Sequence, residues 1–137
     1  MLRLPICQDP PVIRTEFSDA LAWEEVKRLV VAPSTEDQFQ AYVTFVDNPA
    51  FSGMSADQLL QSRDPGDQHG FFFVVDTKTL SNAGYPILVV DCSDLPGRRF
   101  RVIPSWMWSV ENNLSLSNMG FEEFVDAVGQ DGIFRGF

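Results

Sequence analysis

Two sets of side chains in this sequence invite a chemical reading. Three apolar runs end alike, in Phe45-Val46-Asp47, Val74-Val75-Asp76 and Val89-Val90-Asp91. If those runs are parallel strands, Asp47, Asp76 and Asp91 gather at one sheet edge, where open α/β folds bind their ligands. Carboxylates gathered in this way hold a divalent cation, or raise one another's pKa until one serves as acid and another as base. The second group is Trp106 and Trp108 followed by Glu111-Asn112-Asn113. Indoles supply flat apolar walls with one N–H each, and amides supply both donors and acceptors. Such a segment suits recognition of a peptide, a sugar or a polar metabolite.

Each group also has a purely structural reading. Aspartate is favoured where a strand gives way to a turn or helix, because its oxygens accept from nearby backbone N–H groups. The asparagines equally serve to cap a short helix starting near Ser105 and to fix the turn into Leu114, with both indoles filling the core. Other chemistries lack their residues. No Gly-rich phosphate cradle is present, and one histidine with two isolated cysteines gives no zinc spacing. A Ser-His-acid triad has only His69, on the turn-forming loop Arg63–Gly70, where it reads as an exposed loop residue. A hydrolase working with two carboxylates needs no motif and stays open. Arg98, Arg99 and Arg101 are the one basic cluster, suited to pairing with the protein's own acids or, as the alternative, to a small anion.

Hydrophobic periodicity supplies the framework around both groups. Residues 1–11 form an extended lead-in, and Val12 to Thr15 a short strand. Ser18 or Asp19 caps a helix over Ala20 to Val30, with Ala22, Trp23, Val26, Leu29 and Val30 on one face and Trp23 as a core anchor. Ala41 to Asp47 is the clearest strand, and Ser55 to Gln58 has the form of a capping box. Phe71 to Asp76 and Ile87 to Asp91 are unbroken apolar runs, as expected of strands covered on both faces. The connection Thr77 to Pro86 has room for one helical turn and is long enough for a parallel crossover. Leu95-Pro96-Gly97 marks a type II turn, after which Arg99 to Ile103 returns antiparallel. Phe121, Phe124, Val125 and Val128 make a last helical stripe stopped by Gly129, and Ile133, Phe134 or Phe137 docks on the core. The sum is an α/β fold, with α+β as the alternative. It forms a single domain over residues 1–137, with a mixed, mostly parallel sheet of roughly four to five strands packed by about two to four helices.

Composition narrows the partners. The chain carries 19 acidic and 10 basic residues, a formal charge of −9, which repels phosphate backbones and favours solubility or a basic partner. Two distant cysteines do not make an extracellular disulfide framework. Proline interrupts the N-terminus too early for a signal peptide, and no apolar run approaches membrane-spanning length. The expectation is a cytoplasmic protein without cofactor, resident metal, nucleic-acid partner or membrane.

Residues Val12-Ile13-Arg14-Thr15-Glu16-Phe17-Ser18-Asp19 and Ala22-Trp23, then Ile103-Pro104-Ser105 and Trp108-Ser109-Val110-Glu111-Asn112-Asn113-Leu114-Ser115, carry a resemblance. It continues through Asn118-Met119 and Phe121-Glu122-Glu123-Phe124 to the closing Gly132–Phe137. Over nearly its whole length the chain resembles an uncharacterised family of small actinobacterial proteins. The resemblance implies a bacterial, single-domain, intracellular protein and brings no activity or catalytic residue with it.

Three functional expectations result. The leading one is a non-enzymatic acidic interaction module, of the immunity or antitoxin kind, that binds a basic partner protein. Its contacts would be Glu122, Glu123 and Asp126 on the last helix, with Trp106 or Trp108 as anchor. The second is a small-molecule or metal-dependent enzyme site at Asp47, Asp76 and Asp91. The third is a structural subunit of a homo-oligomer, for which Phe134 and Phe137 would give an exposed apolar patch.

Overall fold

The computed structural model describes residues 2–137. Its centre is a six-stranded mixed sheet in the order β2-β1-β3-β4-β5-β6, where β1 is Pro11–Arg14, β2 Thr44–Val46, β3 Phe71–Val75, β4 Ile87–Asp91, β5 Arg99–Val102 and β6 Ile133–Phe134. Strand β1 runs parallel to β2 and β3, and β5 parallel to β6, whereas β3–β4 and β4–β5 are antiparallel. The five helices are α1 (Ala20–Val31), α2 (Ala56–Gln61), α3 (Thr77–Ser81), α4 (Met107–Ser115) and α5 (Phe121–Asp126).

Strand side chains alternate between the two faces of a sheet, and that alternation divides the core. Val12, Phe73, Val89 and Phe100 lie in one register row and face α1, α4 and α5. Ile13, Val74 and Leu88 form a row on the other face, beneath Phe51, Leu59 and the lead-in residue Leu4. Both faces being covered explains why β3 and β4 read as unbroken apolar runs, with all of their residues buried. On the second face β5 turns polar: Arg99 pairs with Asp57 at 2.8 Å, and Arg101 pairs with Asp76 at 2.8 Å.

Helix α1 starts where Asp19 accepts from the Ala22 N–H, and it buries Ala22, Trp23, Val26 and Val30. Trp23 is 1% exposed, at the bottom of the core. Helix α2 opens with a reciprocal Ser55–Gln58 capping box. The β4–β5 turn is closed by the Arg98 N–H donating to the Leu95 carbonyl, with Gly97 at φ +95, where a side chain would be strained.

Three expectations change. Residues Ala41 to Val43 do not join β2, because Pro10, in the segment leading into β1, has no N–H to donate and side chains of α4 take the backbone groups at Gln40 and Tyr42. The Thr77–Pro86 connection is not a crossover; it folds as α3 and returns β4 antiparallel to β3. The sixth strand is the tail itself, which docks by pairing β6 with β5 and burying Phe134 completely.

Candidate functional site

Pro104 begins a 3-10 turn that runs directly into α4 and places Trp106 at the junction and Trp108 in the first turn. The two indoles stack with centroids 5.5 Å apart at 28°. Phe39 lies 4.9 Å from Trp108 at 31°, and Trp106 meets Phe134 edge-on at 6.0 Å. The indoles are half-buried, and each keeps a side toward a groove of about 560 Å³. Leu29, Ala32 and Pro33 also line it, with the exposed Glu36 and Asp37 at its rim.

Local chemistry builds that lining. Ala32 precedes a proline and so leaves helical geometry, ending α1 at φ −66, ψ 132. Ser34 then closes a tight loop: its N–H donates to the Phe39 carbonyl at 2.7 Å and its Oγ accepts from the Phe39 N–H at 2.9 Å. The closure carries Glu36 and Asp37 over the groove and sets Phe39 against Trp108. On the far side, Gly136 (φ +103) lies so close that a Cβ there would sit 2.5 Å from the Trp106 ring. The tail backbone therefore holds Trp106 in place.

The Glu111-Asn112-Asn113 segment is not presented to the groove. Glu111, 4% exposed, accepts from the Tyr42 N–H at 2.7 Å, from Asn112 Nδ2 at 2.9 Å and from Ser115 Oγ at 2.6 Å. Asn112 Nδ2 also donates to the Gln40 carbonyl, and Asn113 Nδ2 donates to the Ser109 carbonyl. These residues neither cap a helix nor offer their amide donors to a ligand. They lie within α4, where Glu111 and Asn112 latch the chain at residues 40–42 to the helix.

The three strand-end aspartates do not converge. Asp47 and Asp76 follow the parallel strands β2 and β3, but β4 runs the other way and carries Asp91 to the opposite edge. Each carboxylate has its own arginine: Arg14 for Asp47 at 3.2 Å, Arg101 for Asp76 at 2.8 Å and Arg98 for Asp91 at 2.9 Å. Burial pushes the Asp76 carboxyl up, but Arg101 and the Thr79 N–H and hydroxyl outweigh it and hold the group below its ordinary value. Asp91 follows the same pattern, with burial opposed by the Ser93 and Leu95 N–H groups and by Arg98. Strand direction, which no residue of β4 announces, undoes the expected cluster. Among the described residues, no group of three or more His, Cys, Asp and Glu side chains could hold a metal ion. The three arginines are likewise engaged with the protein's own acids.

Glu122, Glu123 and Asp126 are exposed on α5. Glu123 also caps its own helix through the Gly120 N–H at 2.8 Å, and Glu122 approaches Arg98 at 3.8 Å. None of them lines the groove. Its acids are Glu36 and Asp37, which sequence reasoning passed over as a polar loop; the signal was a proline-terminated helix followed by paired acids. His69 is half-buried, its Nε2 2.8 Å from the Cys7 carbonyl, so it ties down the lead-in. A larger polar cavity of about 730 Å³ lies at the edge where β3 starts and β4 ends, with Asp9, His69, Asp91 and Glu111 in its wall. Asp91 and Glu111 already accept from several protein donors there. Phe137 is 72% exposed but leans on Phe134, centroids 4.9 Å apart.

Fold and groove together define a mixed-sheet α/β domain with an aromatic, acid-rimmed groove. The chain belongs to the family described as a domain of unknown function (DUF6924), whose model matches residues 9–137. Comparison with curated proteins gives no match. Among the described residues no helix is long and apolar enough to cross a membrane.

Proposed function

We propose that this protein is a non-enzymatic interaction module that binds a basic partner protein through the Trp106–Trp108 groove and the carboxylates around it. One observation carries the reading. Two large aromatic side chains, the usual energetic anchors of interfaces, stay half-exposed in a concave surface whose rim carries Glu36 and Asp37. Neither acid is ion-paired with another described residue. A formal charge of −9 would steer a basic partner toward the protein from a distance, and Glu122, Glu123 and Asp126 add to that field. An immunity or antitoxin-like inhibitor in an actinobacterial cytoplasm is the form of this role that the acidity fits best.

The test is enrichment of partners from a lysate of the source organism on immobilised protein, beside a Trp106→Ala/Trp108→Ala variant shown to be folded. A basic protein retained by the wild type, eluted by raised salt and lost from the variant supports the reading. Equal retention by both proteins, or retention indifferent to salt, removes it.

A further inference from the structure

We infer that the occupant of this groove is an arginine side chain on an exposed segment of the partner; the inference rests on the reading above and specifies its ligand. The walls and the rim call for different halves of one side chain. Leu29, Pro33 and the two indoles offer apolar surface to an alkyl stem, while Glu36 and Asp37 offer neighbouring negative charges where a head group would emerge. Arginine combines a three-methylene stem with a planar, weakly hydrated cation whose five donors serve two carboxylates at once and lie favourably against aromatic surface.

Other occupants fit less well. A purely apolar side chain would bring Glu36 and Asp37 against hydrocarbon and strip water from them without compensation. A second copy of this chain brings another −9 of charge to the same surface. Within the protein the cations nearest in sequence are already used: Lys27 pairs with Glu24 at 3.0 Å and Arg28 with Glu25 at 2.6 Å. The Ser34 closure holds the rim in place before any ligand arrives, so little ordering cost attaches to binding.

The probes are an amidated Gly-Ser-Arg-Ser-Gly peptide and its citrulline counterpart, which keeps the shape and loses the charge. Binding is read by tryptophan fluorescence at low salt. The arginine peptide is expected to bind with Kd in the range of about 0.1–1 mM, the citrulline peptide at least about tenfold more weakly. Glu36→Gln/Asp37→Asn, on an exposed loop and therefore foldable, is expected to lose the same factor, and circular dichroism checks its fold. Equal affinity for both peptides, or an unchanged affinity in that variant, overturns the inference. So does sedimentation showing a wild-type dimer that Trp108→Ala dissociates, because the groove is then occupied by a second copy. Partner retention that survives Glu36→Gln/Asp37→Asn but not the tryptophan substitutions would sink the arginine assignment alone. Arginine-specific peptide binding without any retained protein would instead sink the module reading.

Discussion

A carboxylate as enclosed as Glu111 is tolerable only because three donors converge on it, and one of them is the backbone N–H of Tyr42, remote in sequence. Glu111→Ala would strand that N–H and free the segment at residues 40–42. We expect a loss of about 2–3 kcal/mol in urea denaturation, with peptide binding by the folded fraction unchanged, since the residue is absent from the groove. Asp76 is the other residue with a measurable signature. Its folded-state pKa is depressed, so the stability it contributes is full above the unfolded value of about 3.9 and is lost as pH falls through the folded value. Asp76→Asn should therefore be less stable than wild type by about 2 kcal/mol at pH 7, and the gap between the two melting temperatures should begin to close as pH falls below the unfolded value and vanish once the folded value is passed. A gap that does not narrow at all as pH falls below the unfolded value of about 3.9 would show that Asp76 acts by packing and not by charge.

Among the elements, those closed by local chemistry match their sequence signals closely. The Asp19 cap, the Ser55–Gln58 box and the Leu95–Gly97 turn each depend on residues within four positions of one another. Strand β2 shows the opposite case. Ala41–Asp47 has the side chains of a strand, yet only Thr44–Val46 pairs, because the donors of its neighbour and the hydrogen bonds from α4 decide the length. The β4–β5 hairpin tests the local rule directly. Gly97 has room for a Cβ, its nearest neighbour being 3.9 Å away, so Gly97→Ala suffers only from its positive φ. A loss of about 1–2 kcal/mol is expected by chemical denaturation, with the fold kept.

At the scale of the whole molecule, charge governs behaviour. A surplus of nine negative charges makes the compact state repel itself, and salt screens that repulsion. Raising NaCl from about 10 to 300 mM should raise the melting temperature by several degrees, as read by calorimetry. MgCl₂ at the same ionic strength should do no more than NaCl. A larger rise with Mg²⁺ would mean that carboxylates hold a divalent ion after all, against the dispersal of Asp47, Asp76 and Asp91.

What the sequence determined by itself was whatever short-range geometry dictates: the α/β class, the caps and turns, the buried runs of β3 and β4, Trp23 as an anchor and the acidic surface. It also marked Trp106 and Trp108 as residues to watch. Only the tertiary structure decided which way β4 runs, and hence that Asp91 leaves the edge shared by Asp47 and Asp76. It likewise decided that Glu111 and Asn112 turn inward, and that Glu36 and Asp37, on a loop some seventy residues before the indoles, complete their groove. Pairing direction and long-range contact are set by the balance of packing over the whole chain, and no local stretch of residues encodes that balance.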